Sequence, residues 1–159
     1  MNAKPRTSIL FVCLGNICRS PLAEGVFRSV VTERGRHADF MIDSAGTGAW
    51  HVGSAPDPRS IEIARRFGVD ISMQRARQVN ARDFERFDLL LGMDRNNVRT
   101  LRERAPEAAA GKIHLFLNYA DGRTLDIPDP YYTRDFAGAL ELIEEASAGL
   151  ITQLRNPAV

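Results

Sequence analysis

The run Ser8–Cys13, SILFVC, restricts the fold more than any other segment of the chain. Its apolar residues are continuous rather than alternating, which marks a strand buried on both faces, as in a parallel sheet. The run stops at Cys13, passes through a short loop containing Gly15 and Asn16, and meets Pro21, a residue suited to the first turn of a helix. From Pro21 to Arg34, apolar residues recur at Leu22, Ala23, Val26, Phe27, Val30 and Val31, a helical period. A doubly buried strand that feeds directly into a helix points to a βαβ unit.

The rest of the chain repeats that alternation. Strands are expected at Phe40–Ile42, Phe87–Leu91 and Ile113–Leu117, and helices at Asp57–Phe67 (stopped by Gly68), Asp94–Arg104 and Phe136–Leu154. The last helix carries Leu140, Ile143, Ala146, Leu150 and Leu154 on one side. Together these segments predict a single domain over residues 1–159, with its core at about 8–155: a four-stranded parallel sheet with helices on both faces. Two irregular segments stand out, Ala45–Pro58, with three Gly and two Pro, and Asn118–Tyr132. Long loops in compact domains are often functional, and open α/β sheets bind ligands beyond the carboxyl ends of their strands. Cys13, Ser44 and Asp94 all follow expected strands, and Asp129 lies in the loop beyond the fourth.

Bulk composition narrows the partners. The 159 residues suffice for one sizeable core, and 44% hydrophobic with 26% charged residues is ordinary for a globular protein. Lys and Arg number 21 against 20 Asp and Glu, so the net charge of +1 suggests neither nucleic acid nor membrane as a partner. No apolar run approaches the roughly 18 to 20 residues that span a bilayer. The apolar run after MNAKPRTS is too short for a signal-peptide core, and the expectation is a cytoplasmic protein. Two cysteines are too few for a disulfide scaffold, and without neighbouring His or further Cys they do not make a metal site. No cofactor is implied.

Both cysteines fall in one loop, Cys13-Leu14-Gly15-Asn16-Ile17-Cys18-Arg19. The amides of such a loop, and the first N–H groups of the helix after it, lack helical partners and can converge on an anion. Gly15 and Asn16 tolerate the left-handed backbone that an anion nest requires. Arg19 adds a planar fork matched to two phosphate oxygens. Cations and helix N-termini favour the thiolate form of a cysteine, so Cys13 is expected to attack phosphorus and form a phosphocysteine. The leaving oxygen then needs a proton. Asp129, in Asp129-Pro130-Tyr131-Tyr132, is the candidate acid, and the same carboxylate can afterwards take a proton from water. Asp126 is a rival on the same loop.

Cys13-Leu-Gly-Asn-Ile-Cys-Arg-Ser-Pro-Leu-Ala-Glu24, taken with Asp129-Pro130-Tyr131-Tyr132, resembles the low-molecular-weight protein tyrosine phosphatase family. The resemblance runs from about Ser8 to the final helix and includes Asp43-Ser44-Ala45-Gly46-Thr47, Ala76-Arg77-Gln78 and Met93-Asp94. It implies a flavodoxin-like sheet order and metal-free hydrolysis of phosphotyrosine. Cys13 is then the nucleophile, Arg19 the phosphate clamp and Asp129 the general acid and base. The loop from Leu14 through Gly15, Asn16 and Ile17 to Cys18 binds the substrate phosphate, or phosphate, sulfate and vanadate in its place. Ser20 hydrogen-bonds the thiolate, and Asn16 holds the loop open through a network reaching Ser20 and Ser44. Ile17, Trp50, Tyr131 and Tyr132 form the walls of a slot for the phenyl ring. The family often places a His where this chain has Gln74, which is expected to support the same network. Phosphotyrosine proteins are the implied partners, in bacteria often a tyrosine autokinase.

Other readings of the same residues stay open. Cys18 is either a packing residue or a thiol able to form a reversible disulfide with Cys13. Asp94, with Asn96 nearby, reads as a helix cap. His37, His51 and His114 show no partner pattern and read as solvent or packing residues. Arg65, Arg66, Arg75, Arg77 and Arg82 read as a solvated face. Arsenate reduction on this scaffold relays a disulfide through further cysteines, and none follows Cys18. Protein-arginine phosphatases of the same fold commonly carry Thr where Ile17 stands. A non-catalytic phosphoprotein-binding module is the remaining alternative.

Overall fold

The computed structural model describes residues 6–121 and 125–154. The ends of the expected 1–159 domain, and residues 122–124 of the second irregular segment, lie outside the described residues. Four strands form one sheet: β1 (Thr7–Cys13), β2 (Phe40–Gly46), β3 (Leu89–Gly92) and β4 (Ile113–Leu115). Their order is β2-β1-β3-β4, and every pairing is parallel. The α-helices are α1 (Arg19–Glu33), α2 (Pro58–Arg66), α3 (Asp83–Arg86), α4 (Arg95–Arg104), α5 (Pro130–Thr133) and α6 (Phe136–Gln153).

The central strand explains why the SILFVC run does not alternate. Ile9, Phe11 and Cys13 face a core shared with α1 and α6, whereas Leu10 and Val12 face one built with Phe84, Val98 and Leu101. Residues 9–12 are fully buried, so each face of β1 is apolar. Phe11 anchors the first core through edge-to-face contacts with Phe27 and Phe116, at centroid distances of 5.8 and 5.0 Å. β1 connects outward to β2, and the chain then returns past it to β3. The reversal places a crevice at the carboxyl ends of β1 and β3, the topological switch point where such sheets bind ligands.

Several boundaries differ from the sequence expectation. β2 continues four residues beyond Ile42 because it pairs with β1 as far as Cys13↔Gly46. Asp43 and Ser44 disguise it: they are polar, and Arg77 and Asn16 satisfy them from neighbouring segments. β3 starts at Leu89, since Phe87 closes the short helix α3, which the sequence did not announce. β4 ends at Leu115, and Phe116 and Leu117 turn into a 3-10 helix. Both remain buried, so a strand and a tight helical turn present the same apolar pattern there. α1 starts at Arg19, two residues before the proline.

Candidate active site

Local geometry makes the Cys13 loop a cradle. Its carbonyls point outward: those of Cys13, Leu14 and Ile17 accept from the amides of Thr47 (2.9 Å), Gly48 (2.9 Å) and Asp57 (2.8 Å). The amides of Gly15, Ile17 and Cys18 have no protein acceptor among the described residues, the state expected of an anion nest. Only Asn16 is left-handed, at φ 57°; Gly15 is not, contrary to expectation. Space is tight at Gly15, where a Cβ would lie 3.1 Å from the His51 ring and the imidazole would have to shift. Gly46 on β2 is needed for space, because a Cβ there would meet the backbone oxygen of Leu14 at 2.8 Å.

At the base of the cradle, Cys13 Sγ lies 3.0 Å from Ser20 Oγ and accepts from the Asn16 amide at 3.3 Å. Asn16 Nδ2 donates to Ser20 Oγ (2.7 Å) and Ser44 Oγ (3.1 Å), while its Oδ1 accepts from the Arg77 amide (3.0 Å). Gln74 does not join this group, contrary to expectation. Its Nε2 donates to Pro21 O at 3.1 Å, and its Oε1 is buried without a partner among the described residues. Glu24 takes the place instead, accepting from Ser44 Oγ at 2.8 Å and from Arg28 at 2.9 Å. Burial pushes the Glu24 carboxyl up, and those two hydrogen bonds only partly oppose it.

Arg19 is held from three sides. Its NH1 donates to Asp94 Oδ2 at 2.7 Å and to Ile127 O at 2.9 Å, and its NH2 reaches Asp129 Oδ2 at 3.4 Å. Burial works against its charge, but Cys13, Asp94 and Asp129 outweigh it and keep the guanidinium protonated. Its Nε is buried with no partner among the described residues. Asp94 does cap α4, as read from the sequence, but its capping-box partner is Asn97 rather than Asn96. What the sequence did not reveal is its ion pair with Arg19, since nothing local signals a contact 75 positions away.

A cleft of about 260 Å³ opens over the loop, lined by Cys13, Leu14, Gly15, Ile17, Cys18, Trp50, His51, Asp129, Tyr131 and Tyr132. Trp50 is 73% exposed and Tyr132 72%, so both stand at the rim. His51 also lines the cleft, although its sequence context gave no sign of it. Asp129 caps α5 by accepting from Tyr131 N at 3.1 Å. The rival Asp126 does not line the cleft; Arg95 grips it through three contacts of 2.9–3.2 Å. Burial alone would raise the Asp126 carboxyl, but the Arg95 hydrogen bonds outweigh that and hold it low. Arg59 forks onto Asp57 and lies 4.8 Å above the Phe136 ring and 5.9 Å from that of Tyr131, bracing α5 against α2. Arg77, expected on a solvated face, is instead clamped between Asp43 and Asp83.

Cys13 and Cys18 are both buried free thiols. Burial, with smaller contributions from Asp57, Cys13 and Asp129, pushes the Cys18 thiol up to about 12, and the neighbouring Ser60 hydroxyl only partly opposes it. Among the described residues no helix is long and apolar enough to cross a membrane.

Fold and loop define a class: a doubly wound α/β protein whose switch-point cradle gathers a thiol, an arginine and a carboxylate around one small cleft. Comparison with known proteins makes that class specific. The family described as low molecular weight phosphotyrosine protein phosphatase matches over residues 8–158. The low molecular weight protein-tyrosine-phosphatase YfkJ of Bacillus subtilis is 40% identical over 150 residues, covering 94% of this chain and 96% of YfkJ. Its crystal structure superimposes with a TM-score of 0.94, over 99% of this chain and 100% of that one, at 38% identity. The low molecular weight phosphotyrosine protein phosphatase of Schizosaccharomyces pombe is 47% identical over 126 residues, 78% of this chain and 80% of its own. A Drosophila arginine phosphatase shares the fold at a TM-score of 0.86 and 32% identity, over 92% of this chain and 97% of its own. The chain belongs to the low molecular weight phosphotyrosine protein phosphatase family and is a phosphatase enzyme.

Proposed function

We propose that this protein hydrolyses protein phosphotyrosine by a two-step, metal-free reaction on Cys13. The observation that carries the proposal is the cradle itself. Among the described residues Arg19 Nε is buried without a partner, the loop amides of Gly15, Ile17 and Cys18 have no protein acceptor, and the Cys13 sulfur in the same loop is held by Ser20 and Asn16. A tetrahedral phosphate supplies oxygens for all of these donors and sets its phosphorus over Sγ.

The thiolate attacks phosphorus, the bond from phosphorus to the tyrosyl oxygen breaks, and Asp129 gives its proton to the departing phenolate. Asp129 then takes a proton from water as the water oxygen attacks phosphorus. The P–S bond breaks, which releases orthophosphate and restores the thiolate. Ile17, Trp50, Tyr131 and Tyr132 offer apolar walls for an aryl ring. An apolar Ile17, where a Thr is common in arginine phosphatases, favours phosphotyrosine over phosphoarginine. Phosphotyrosine proteins in the cytoplasm, a tyrosine autokinase among them, are the substrates this reading implies.

Hydrolysis of para-nitrophenyl phosphate tests it. Turnover is expected from reduced protein, inhibited by vanadate, unaffected by EDTA, and abolished in Cys13→Ser, which still binds phosphate. Absence of turnover in the reduced wild-type protein overturns the proposal, and near-wild-type activity of Cys13→Ser removes Cys13 from its role.

A further inference from the structure

The hydrogen bonds around Cys13 form a directed relay, and it ends on a residue that the phosphatase reaction as described leaves idle. Asn16 fixes the direction. Its Oδ1 accepts from the Arg77 amide, so its NH2 group must donate both to Ser20 Oγ and to Ser44 Oγ. Ser44 Oγ, having accepted one proton, points its own at Glu24 Oε1, 2.8 Å away. Ser20 has a single proton and two acceptors in reach, Cys13 Sγ at 3.0 Å and Ala45 O at 3.4 Å.

We propose that Glu24 is a positioning residue for the phosphatase reaction: its carboxylate holds Ser44 Oγ in place as an acceptor for the Asn16 amide, and so anchors the group that donates to Ser20 beside Cys13 Sγ. The ionised carboxylate can only accept, so it holds Ser44 as a donor and leaves the Ser44 lone pair to Asn16. Protonation of Glu24 removes the charge that holds the Ser44 hydroxyl as its donor, and the anchor on Asn16 weakens with it. Chains of this kind strengthen one another when every member is satisfied in one sense, and lose that gain together when one member reverses. Gln74 borders the same recess as Glu24 but turns to Pro21, and Ser44 donates to Glu24 directly.

The charges facing Glu24 come from three elements. Arg28, one turn on along α1, donates to Oε2 and to Ile42 O, which ties the carboxylate to β2. Asp43 on β2 opposes the negative charge, but Arg77 engages it at 3.0 Å. Glu33 and Asp70 border the same surface recess from the end of α1 and from the segment after α2. Burial in this setting raises the carboxyl, so Glu24 takes up its proton at a higher pH than an exposed glutamate does.

The inference rests on the phosphatase reading, and one set of assays separates the two. Rates on para-nitrophenyl phosphate are measured against pH for wild type, Glu24→Gln, Ser44→Ala and the double variant. Near neutrality each single variant is expected to lose about ten-fold in kcat, the scale of one charge-assisted hydrogen bond, with KM nearly unchanged. The ratio of wild-type to variant rate should shrink towards one as pH falls and Glu24 becomes protonated in the wild type. The double variant should be no slower than Ser44→Ala alone, because both act through one relay. A ratio constant across pH, or additive losses, overturns the proposal. If Glu24→Gln does not fold, the pH course of the Ser44→Ala ratio decides by itself. A wild type without turnover refutes the phosphatase function and this role with it, whereas turnover with a constant ratio refutes only the role of Glu24.

Discussion

Replacing Asp94 by Asn removes the negative charge and the second acceptor oxygen: Oδ1 caps α4 on the Asn97 amide and Oδ2 takes Arg19 NH1, and an amide that keeps the cap has no oxygen left for Arg19. The Arg19 side chain is 3% exposed and that of Asp94 18%, with 2.7 Å between NH1 and Oδ2. Breaking a buried pair from one side costs about 3–5 kcal/mol, because the remaining ion is left buried without its counter-charge. Arg19 keeps Ile127 O at 2.9 Å and Asp129 at 3.4 Å, and Asp94 is partly wet, so the lower end applies. The expected loss is about 3 kcal/mol. Asn caps helices about as well as Asp, so the start of α4 should survive. Asp94→Ala loses the cap as well, adding about 1 kcal/mol. Urea unfolding of the three proteins measures both steps, and the Tm of Asp94→Asn should fall by about 6–12 °C. Anion binding should weaken in parallel, seen as weaker inhibition by phosphate, because the guanidinium is no longer fixed over the cradle. A loss below about 1 kcal/mol for Asp94→Asn, or identical losses for Asn and Ala, refutes the buried-pair account.

Asp129→Ala should slow aryl phosphates with poor leaving groups by about 100-fold or more, and activated esters far less, because only the former need the proton. Equal losses across a leaving-group series would show that another residue supplies it. Near neutral pH iodoacetamide should alkylate Cys13 and spare Cys18, whose thiol stays protonated up to about 12; peptide mapping that finds Cys18 modified in the folded protein contradicts this. The same shift has a linkage consequence. The Cys18 thiol rises from 9.0 to about 12 on folding, so the folded state holds the proton more tightly. Its contribution is fully present below the lower value and is lost as pH climbs to the upper one. Stability over that window should fall more steeply in wild type than in Cys18→Ala, and equal slopes from urea unfolding would refute the assignment.

The relation of sequence to structure is clearest at β1 and least clear at β2. The continuous apolar run SILFVC reads as a strand buried on both faces, so the central strand and the helix after it are legible directly, and the loop between them is legible as a candidate anion site. Asp43 and Ser44 hid the second half of β2, because their hydrogen bonds come from Asn16 and Arg77 and no local pattern announces them. The short helix α3 and the 3-10 turn at Phe116–Tyr119 leave no mark in the sequence, because a few buried residues fit a strand or a turn equally well. Gln74 was expected on the Asn16 network by analogy of position, yet Glu24, already in view within the first motif, reaches Ser44 instead.

By itself the sequence determined the chemistry available: one loop with a thiol, a guanidinium six residues on, and a carboxylate 110 residues beyond that guanidinium. Those identities follow from side-chain type and local backbone preference, which are written residue by residue. Tertiary structure alone decided which partners those groups meet. Arg19 turns to Asp94, Asp126 is drawn off by Arg95, His51 crosses to Gly15, and the relay from Cys13 terminates on Glu24. Each of these depends on two strands ending at one edge and on a helix packed beside them. Distances of that kind are set by the packing of the whole sheet and are absent from any single stretch of chain.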